Sequence, residues 1–156
     1  MRAILTILAA MTMFISATQA QQIRLGHRIP DINVVSELGT EIKLIEKEYV
    51  CLIFVHTDSM PCISAIEHYQ AISQDLSTRM ATVLITSEER DEDVDVVARY
   101  VNNHTSVAFD DEYRTFQAFG VDFVPFGVIY DTKRRRALWF GSMLQLQREM
   151  LEDILS

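Results

Sequence analysis

The chain has 156 residues, 49% of them hydrophobic and 23% charged, which suits one globular domain and excludes a disordered tail. Its 22 acidic residues outnumber 14 basic ones, and a formal net charge of -8 taken as a whole repels nucleic acid and anionic membrane surfaces, so neither is an expected partner. Two cysteines are too few for a disulfide-stapled scaffold or a thiolate zinc site; no metal and no cofactor is expected, and any sulfur chemistry must be local.

Met1 and Arg2 precede a nearly continuous apolar run from Ala3 to Ala17, then Thr18-Gln19-Ala20 and a polar Gln21-Gln22. This is the pattern of a secretory signal peptide cleaved after Ala20, which makes 1–20 a leader and 21–156 the mature domain. The apolar run is shorter than the ~20 residues that cross a bilayer, so no membrane span is expected once the leader is removed. No cysteine follows the cleavage site, as a lipid anchor would need, and the expected location is periplasmic or secreted.

The remainder shows no repeat or linker. Asp31 to Val35 and Glu41 to Leu44 suggest two short extended segments around a Leu38-Gly39 turn, and Val50 to Val55 is an apolar run suited to a central strand buried on both faces. Cys62, Ala65, Ile66, Tyr69, Ile72 and Leu76 recur at helical spacing just after Pro61. Thr82 to Ile85 predicts another buried strand. An acidic turn at Asp91, Glu92 and Asp93 opens a helix carrying Val94, Val97, Ala98 and Val101. A strand at Val107 to Phe109, a helix from Glu112 to Phe119 and a break at Gly120 follow. Phe126 to Tyr130 and Ala137 to Phe140 predict a hairpin around Asp131-Thr132-Lys133, and Met143 to Leu155 a closing amphipathic helix. Alternating strands and helices with a terminal hairpin imply an α/β fold with a mixed central sheet flanked by helices.

Several stretches in this order resemble the TlpA and ResA branch of the thioredoxin-like superfamily, which is related to the AhpC/TSA proteins. They are Leu25-Gly26-His27-Arg28-Ile29-Pro30-Asp31, Leu38-Gly39-Thr40-Glu41-Ile42, Cys51 through Cys62, Phe119-Gly120-Val121-Asp122-Phe123-Val124-Pro125 followed by Phe126 to Asp131, and Leu138-Trp139-Phe140-Gly141. The resemblance covers almost the whole mature chain and implies a thioredoxin-like fold. It also implies a cis Val124-Pro125 peptide facing Cys62 across a shallow groove in which a partner's extended strand is held. Met60, Pro61, Val124 and Pro125 are then the expected partner-binding residues.

The family's Cys-x-x-Cys site here reads Ser59-Met60-Pro61-Cys62. Dithiol exchange needs an attacking thiolate and a second thiol to resolve the mixed disulfide. Ser59 stands at the attacking position and makes no S–S bond, and the aromatic residue the family carries before it is Asp58, an acid that works against a nearby thiolate. Cys62 matches the resolving cysteine. It is either a reactive thiol at a helix N-terminus or a buried small side chain. Cys51 is expected in the core: roughly six strand residues at ~3.3 Å separate it from the loop, far beyond the ~7 Å limit for a disulfide.

Two readings follow, a non-catalytic binder of an extended protein or peptide segment in the groove between the Ser59 loop and Pro125, and an atypical one-thiol oxidoreductase using Cys62. A one-cysteine peroxidase is a further alternative, since Ser59 and Cys62 reproduce Ser/Thr-x-x-Cys. Val55 replaces the proline expected before it, however, and Pro125 stands where a charge-stabilising arginine is expected. A copper site from Cys62, His56 and Met60 would rest on one thiol. His27, His68 and His104 are read as ordinary residues, and Asn103-His104-Thr105 is a formal glycosylation sequon. Lys133-Arg134-Arg135-Arg136, the one basic run, falls at the hairpin tip, as a solvated turn or a docking patch for an acidic partner.

Overall fold

The structure is a computed structural model, and it describes residues 22–33, 36–39, 46–87, 91–110 and 112–156. Six strands form one sheet in the order β1-β4-β3-β2-β5-β6. They are β1 (Ser36–Leu38), β2 (Tyr49–Phe54), β3 (Met80–Thr86), β4 (Thr105–Phe109), β5 (Phe126–Asp131) and β6 (Ala137–Ser142). The three central strands β2, β3 and β4 run parallel, while β1, β5 and β6 are antiparallel to their neighbours, so the sheet is mixed as the sequence implies.

Every residue of β3 is buried, as are all of β2 after Tyr49, because helices or loops cover both faces of the sheet. Strand alternation sends Cys51, Ile53 and Val55 to one face and Val50, Leu52 and Phe54 to the other. The first face is roofed by α1 (Met60–Ser73), α2 (Asp91–Ala98) and α4 (Arg148–Ile154), through Ala65, Ile66, Tyr69, Val97 and Leu151. The second is covered by the five-residue α3 (Arg114–Ala118) and the segment around Ile29. Thr115 ties those two together: its hydroxyl accepts from the Asn33 N–H at 2.9 Å and donates to the Asn33 carbonyl at 2.8 Å.

The N-terminal extended pair differs from expectation. The strand is Ser36–Leu38, residues 31–33 form no strand, and Glu41 to Leu44 lie outside the described residues, as does the leader 1–20. The closing helix is shorter than its apolar pattern. Met143 and Leu146 are buried from a turn, in which the Met143 N–H donates to the Pro125 carbonyl at 3.1 Å and Gln145 N–H to the Ser142 carbonyl; the helix starts only after the extended Gln147. The turn fits because residue 127 is glycine, where a Cβ would sit 2.1 Å from the Met143 sulfur. Among the described residues no helix is long and apolar enough to cross a membrane.

Candidate functional site

The β2–α1 junction is built by Ser59. Its backbone is extended (φ -96°, ψ 109°), its hydroxyl accepts from the Cys62 N–H at 3.4 Å, and its carbonyl accepts from the Ile63 N–H, so Ser59 is the N-cap of α1. Pro61 occupies the first turn, where its missing N–H costs nothing. Met60 is 70% exposed and Pro61 is exposed, whereas Cys62 points inward and is fully buried. Its sulfur accepts a long 3.5 Å contact from the His56 N–H and packs among Ala65, Ile66 and the sheet residues of the first face. Cys51 is equally buried, and burial pushes its thiol up to about 12, which keeps it protonated and inert. Both thiols are free.

Val124-Pro125 is cis, Pro125 is buried, and Val124 is half-buried. Among the described residues no hydrogen bond is made by the backbone N–H or carbonyl of Phe123 or Val124. Next to this segment lies a groove of about 530 Å³ walled by His56, Phe116, Gln117, Val121, Phe123 and Val124. The β2–α1 loop therefore does face the Val124 segment, but through His56, whose ring stacks on Phe116 at 6.2 Å and 12°. Of the six residues singled out from sequence, Val124 alone lines this groove; Ser59, Met60, Pro61, Cys62 and Pro125 are not among its walls, and Cys62 is buried in the core beneath α1 instead.

Tyr113 and Phe116 of the opposite wall are set by Asp110. That buried carboxylate accepts from the Phe116 N–H at 2.9 Å and its carbonyl accepts from the Tyr113 N–H, which holds Tyr113 in a left-handed conformation (φ 55°) at the helix start. Tyr113 is 44% and Phe123 51% exposed, leaving two aromatic side chains standing at the groove mouth. The sequence reading put Tyr113 and Phe116 in a helix from Glu112 to Phe119 and Phe123 in the stretch before Pro125, and gave none of the three a binding role; the helix observed is the shorter Arg114–Ala118. The available signal was the density of aromatics from Tyr113 to Phe126, more than a five-residue helix can bury. Among the described residues no three His, Cys, Asp or Glu side chains converge as metal ligands.

No family model matches the chain, and no curated protein matches it in sequence. Solved structures do match in shape. A thioredoxin-like protein solved in solution in its oxidized form superposes with a TM-score of 0.69 at 15% identity, over 85% of this chain and 97% of that one. Peroxidoxin BcpB from Mycobacterium tuberculosis gives 0.63 at 16% identity, over 86% and 95%. A thiol:disulfide interchange protein DsbE from Chlorobium tepidum gives 0.63 at 21% identity, over 86% and 96%. With the strand order and helix placement above, these matches establish that the chain has a thioredoxin-like fold.

Proposed function

We propose that this is an exported thioredoxin-fold protein that holds an extended segment of a partner polypeptide without a covalent step. The observation that carries the reading is the full burial of Cys62 behind Ser59, at the very loop where an exchange enzyme presents its attacking thiol. Beside that loop, the free backbone groups of Phe123 and Val124 offer strand-type hydrogen bonds, and Tyr113 and Phe123 offer apolar contact. Export rests on the leader pattern of residues 1–20.

The test joins chemistry to binding. Folded protein incubated with glutathione disulfide forms no adduct at Cys62 by mass spectrometry, and it does not reduce insulin. On an array of extended peptides, Cys62→Ser binds the same set as the natural protein, while Phe123→Asp loses it. Adduct formation at Cys62, or peptide capture lost with Cys62→Ser, would return the chain to one-thiol redox chemistry. Ser59→Cys, which restores the paired thiols at the helix start, gains measurable insulin reduction.

A further inference from the structure

The groove lies at the C-terminal end of β2. The opposite end of the sheet, where Tyr49 pairs with Asp131, carries a different chemistry. There the β5–β6 turn meets the turn at residues 24–28: the Gly26 N–H donates to the Ala137 carbonyl, the Ala137 N–H to the His27 carbonyl, and Arg28 forms a bridge opposite Arg136. The contact gathers Arg24, Arg28, Lys133, Arg134, Arg135 and Arg136, six of the chain's 14 Lys and Arg, while acids outnumber bases more than two to one elsewhere.

Three observations point to an anionic partner. First, Arg28 and Arg136 are exposed, directly opposite one another, and without an ion pair among the described residues, an arrangement that is unfavourable until an oxyanion lies between them. Second, the local acids are engaged elsewhere. Asp131 accepts from the Arg134 and Arg136 backbone N–H groups, Asp31 pairs with Arg135, and Glu48 pairs with Arg79 while also feeling the charge of Lys133. Arg135, at φ 54°, is held by Asp31 and the Pro30 carbonyl, so the strained turn sends Arg134 and Arg136 outward. Third, Leu25 is 61% exposed in the neighbouring turn, between Arg24 and Arg28 in the chain. An acidic peptide would use the cations and leave Leu25 idle; a lipid surface uses both.

We propose that this end of the sheet is a docking surface for an anionic phospholipid bilayer, with the guanidinium groups on headgroup phosphates and Leu25 in the interface. The net charge of the whole chain argued against such a surface. Charges more than about 8–10 Å away are screened at physiological salt, so the local excess governs contact.

The test is co-sedimentation of protein purified from an exporting host with vesicles of phosphatidylcholine alone, or of phosphatidylcholine and phosphatidylglycerol in equal parts. Binding is expected to the mixed vesicles, to fall as salt rises, and to drop by about tenfold or more in Arg28→Glu/Arg136→Glu. Leu25→Ser weakens binding with the salt dependence kept. The single variant Arg136→Gln, which relieves the like-charge pair, weakens binding while holding or raising Tm, and so separates docking from folding. Equal binding to both vesicle types, or undiminished binding by the Glu variant, overturns the proposal. Capture of a poly-glutamate peptide with no vesicle binding also overturns it and assigns the patch to an acidic protein.

Discussion

The two faces of the sheet bury comparable strands under very different roofs. Beneath α1, α2 and α4 the core is mostly aliphatic, with Ile53, Val55, Ile66, Leu84 and Leu151 fully or almost fully buried beside the separate rings of Tyr69, Tyr100 and Phe109. On the other face Phe54 sits at the hub of an aromatic cluster, 5.0 Å from Phe116, 5.4 Å from Phe119 and 6.2 Å from Phe126. One five-residue helix and an irregular segment cannot roof that face with aliphatic side chains, so large rings fill the space and their outer members remain at a groove. A groove is left here because the covering layer is thin, whereas the helical roof encloses Cys51 and Cys62 on the other face.

The sharpest way to break this comparison is Phe54→Ala, which removes the ring that three others pack against. A loss of about 3–5 kcal/mol in urea unfolding is expected, with the groove collapsing at the same time. On the helical face, Gly127→Ala drives a methyl into the Met143 sulfur and against Trp139. It is expected to cost about 1–3 kcal/mol, read as a lowered denaturation midpoint with an unchanged m-value.

Alkaline pH probes the same face more gently. The Cys51 thiol is raised from an ordinary 9.0 to about 12 in the folded protein, so the unfolded chain releases this proton first. Its contribution is fully present below about pH 9 and is lost as pH rises toward 12. Tyr69, raised by the same burial, acts in the same direction. Stability curves of the natural protein and Cys51→Ala should converge as pH rises, and parallel curves would refute the burial account. The smallest effect belongs to Phe123→Ala at the groove mouth. Stability should change by less than about 0.5 kcal/mol because the ring is half exposed, while peptide binding falls.

Much of the fold was legible because its signals are local. Val50 to Val55 could be read as a doubly buried strand from apolar continuity, and the start of α1 from Pro61, while the capping role of Ser59 was not read. The N-terminal strand was misplaced because its pairing partner, β4, lies far along the chain and short extended segments carry little periodicity of their own. The last helix was overextended to Met143 because Leu144 fits an apolar stripe with Met150, Leu151, Ile154 and Leu155, although a contact of Met143 with Pro125 and the space left by Gly127 hold that stretch in a turn. At the site, the burial of Cys62 stood as an open choice, since helix phase gives a face but not a depth. His56 and Tyr113 were invisible as groove residues because the wall exists only once α3 packs beside β2.

The sheet order also bears on how the chain assembles. Strand β2 has β3 as an early neighbour, but its other partner is β5, and α1, β3, α2, β4 and α3 all intervene before β5 is available. Non-local pairing of this kind makes refolding slower than that of a helical bundle of similar size. Until β5 arrives, one full edge of the most apolar strand stands open, and a chain cut short at Asp122 keeps that edge for good. Such a fragment is expected to aggregate even though it retains α1, α2 and the parallel core.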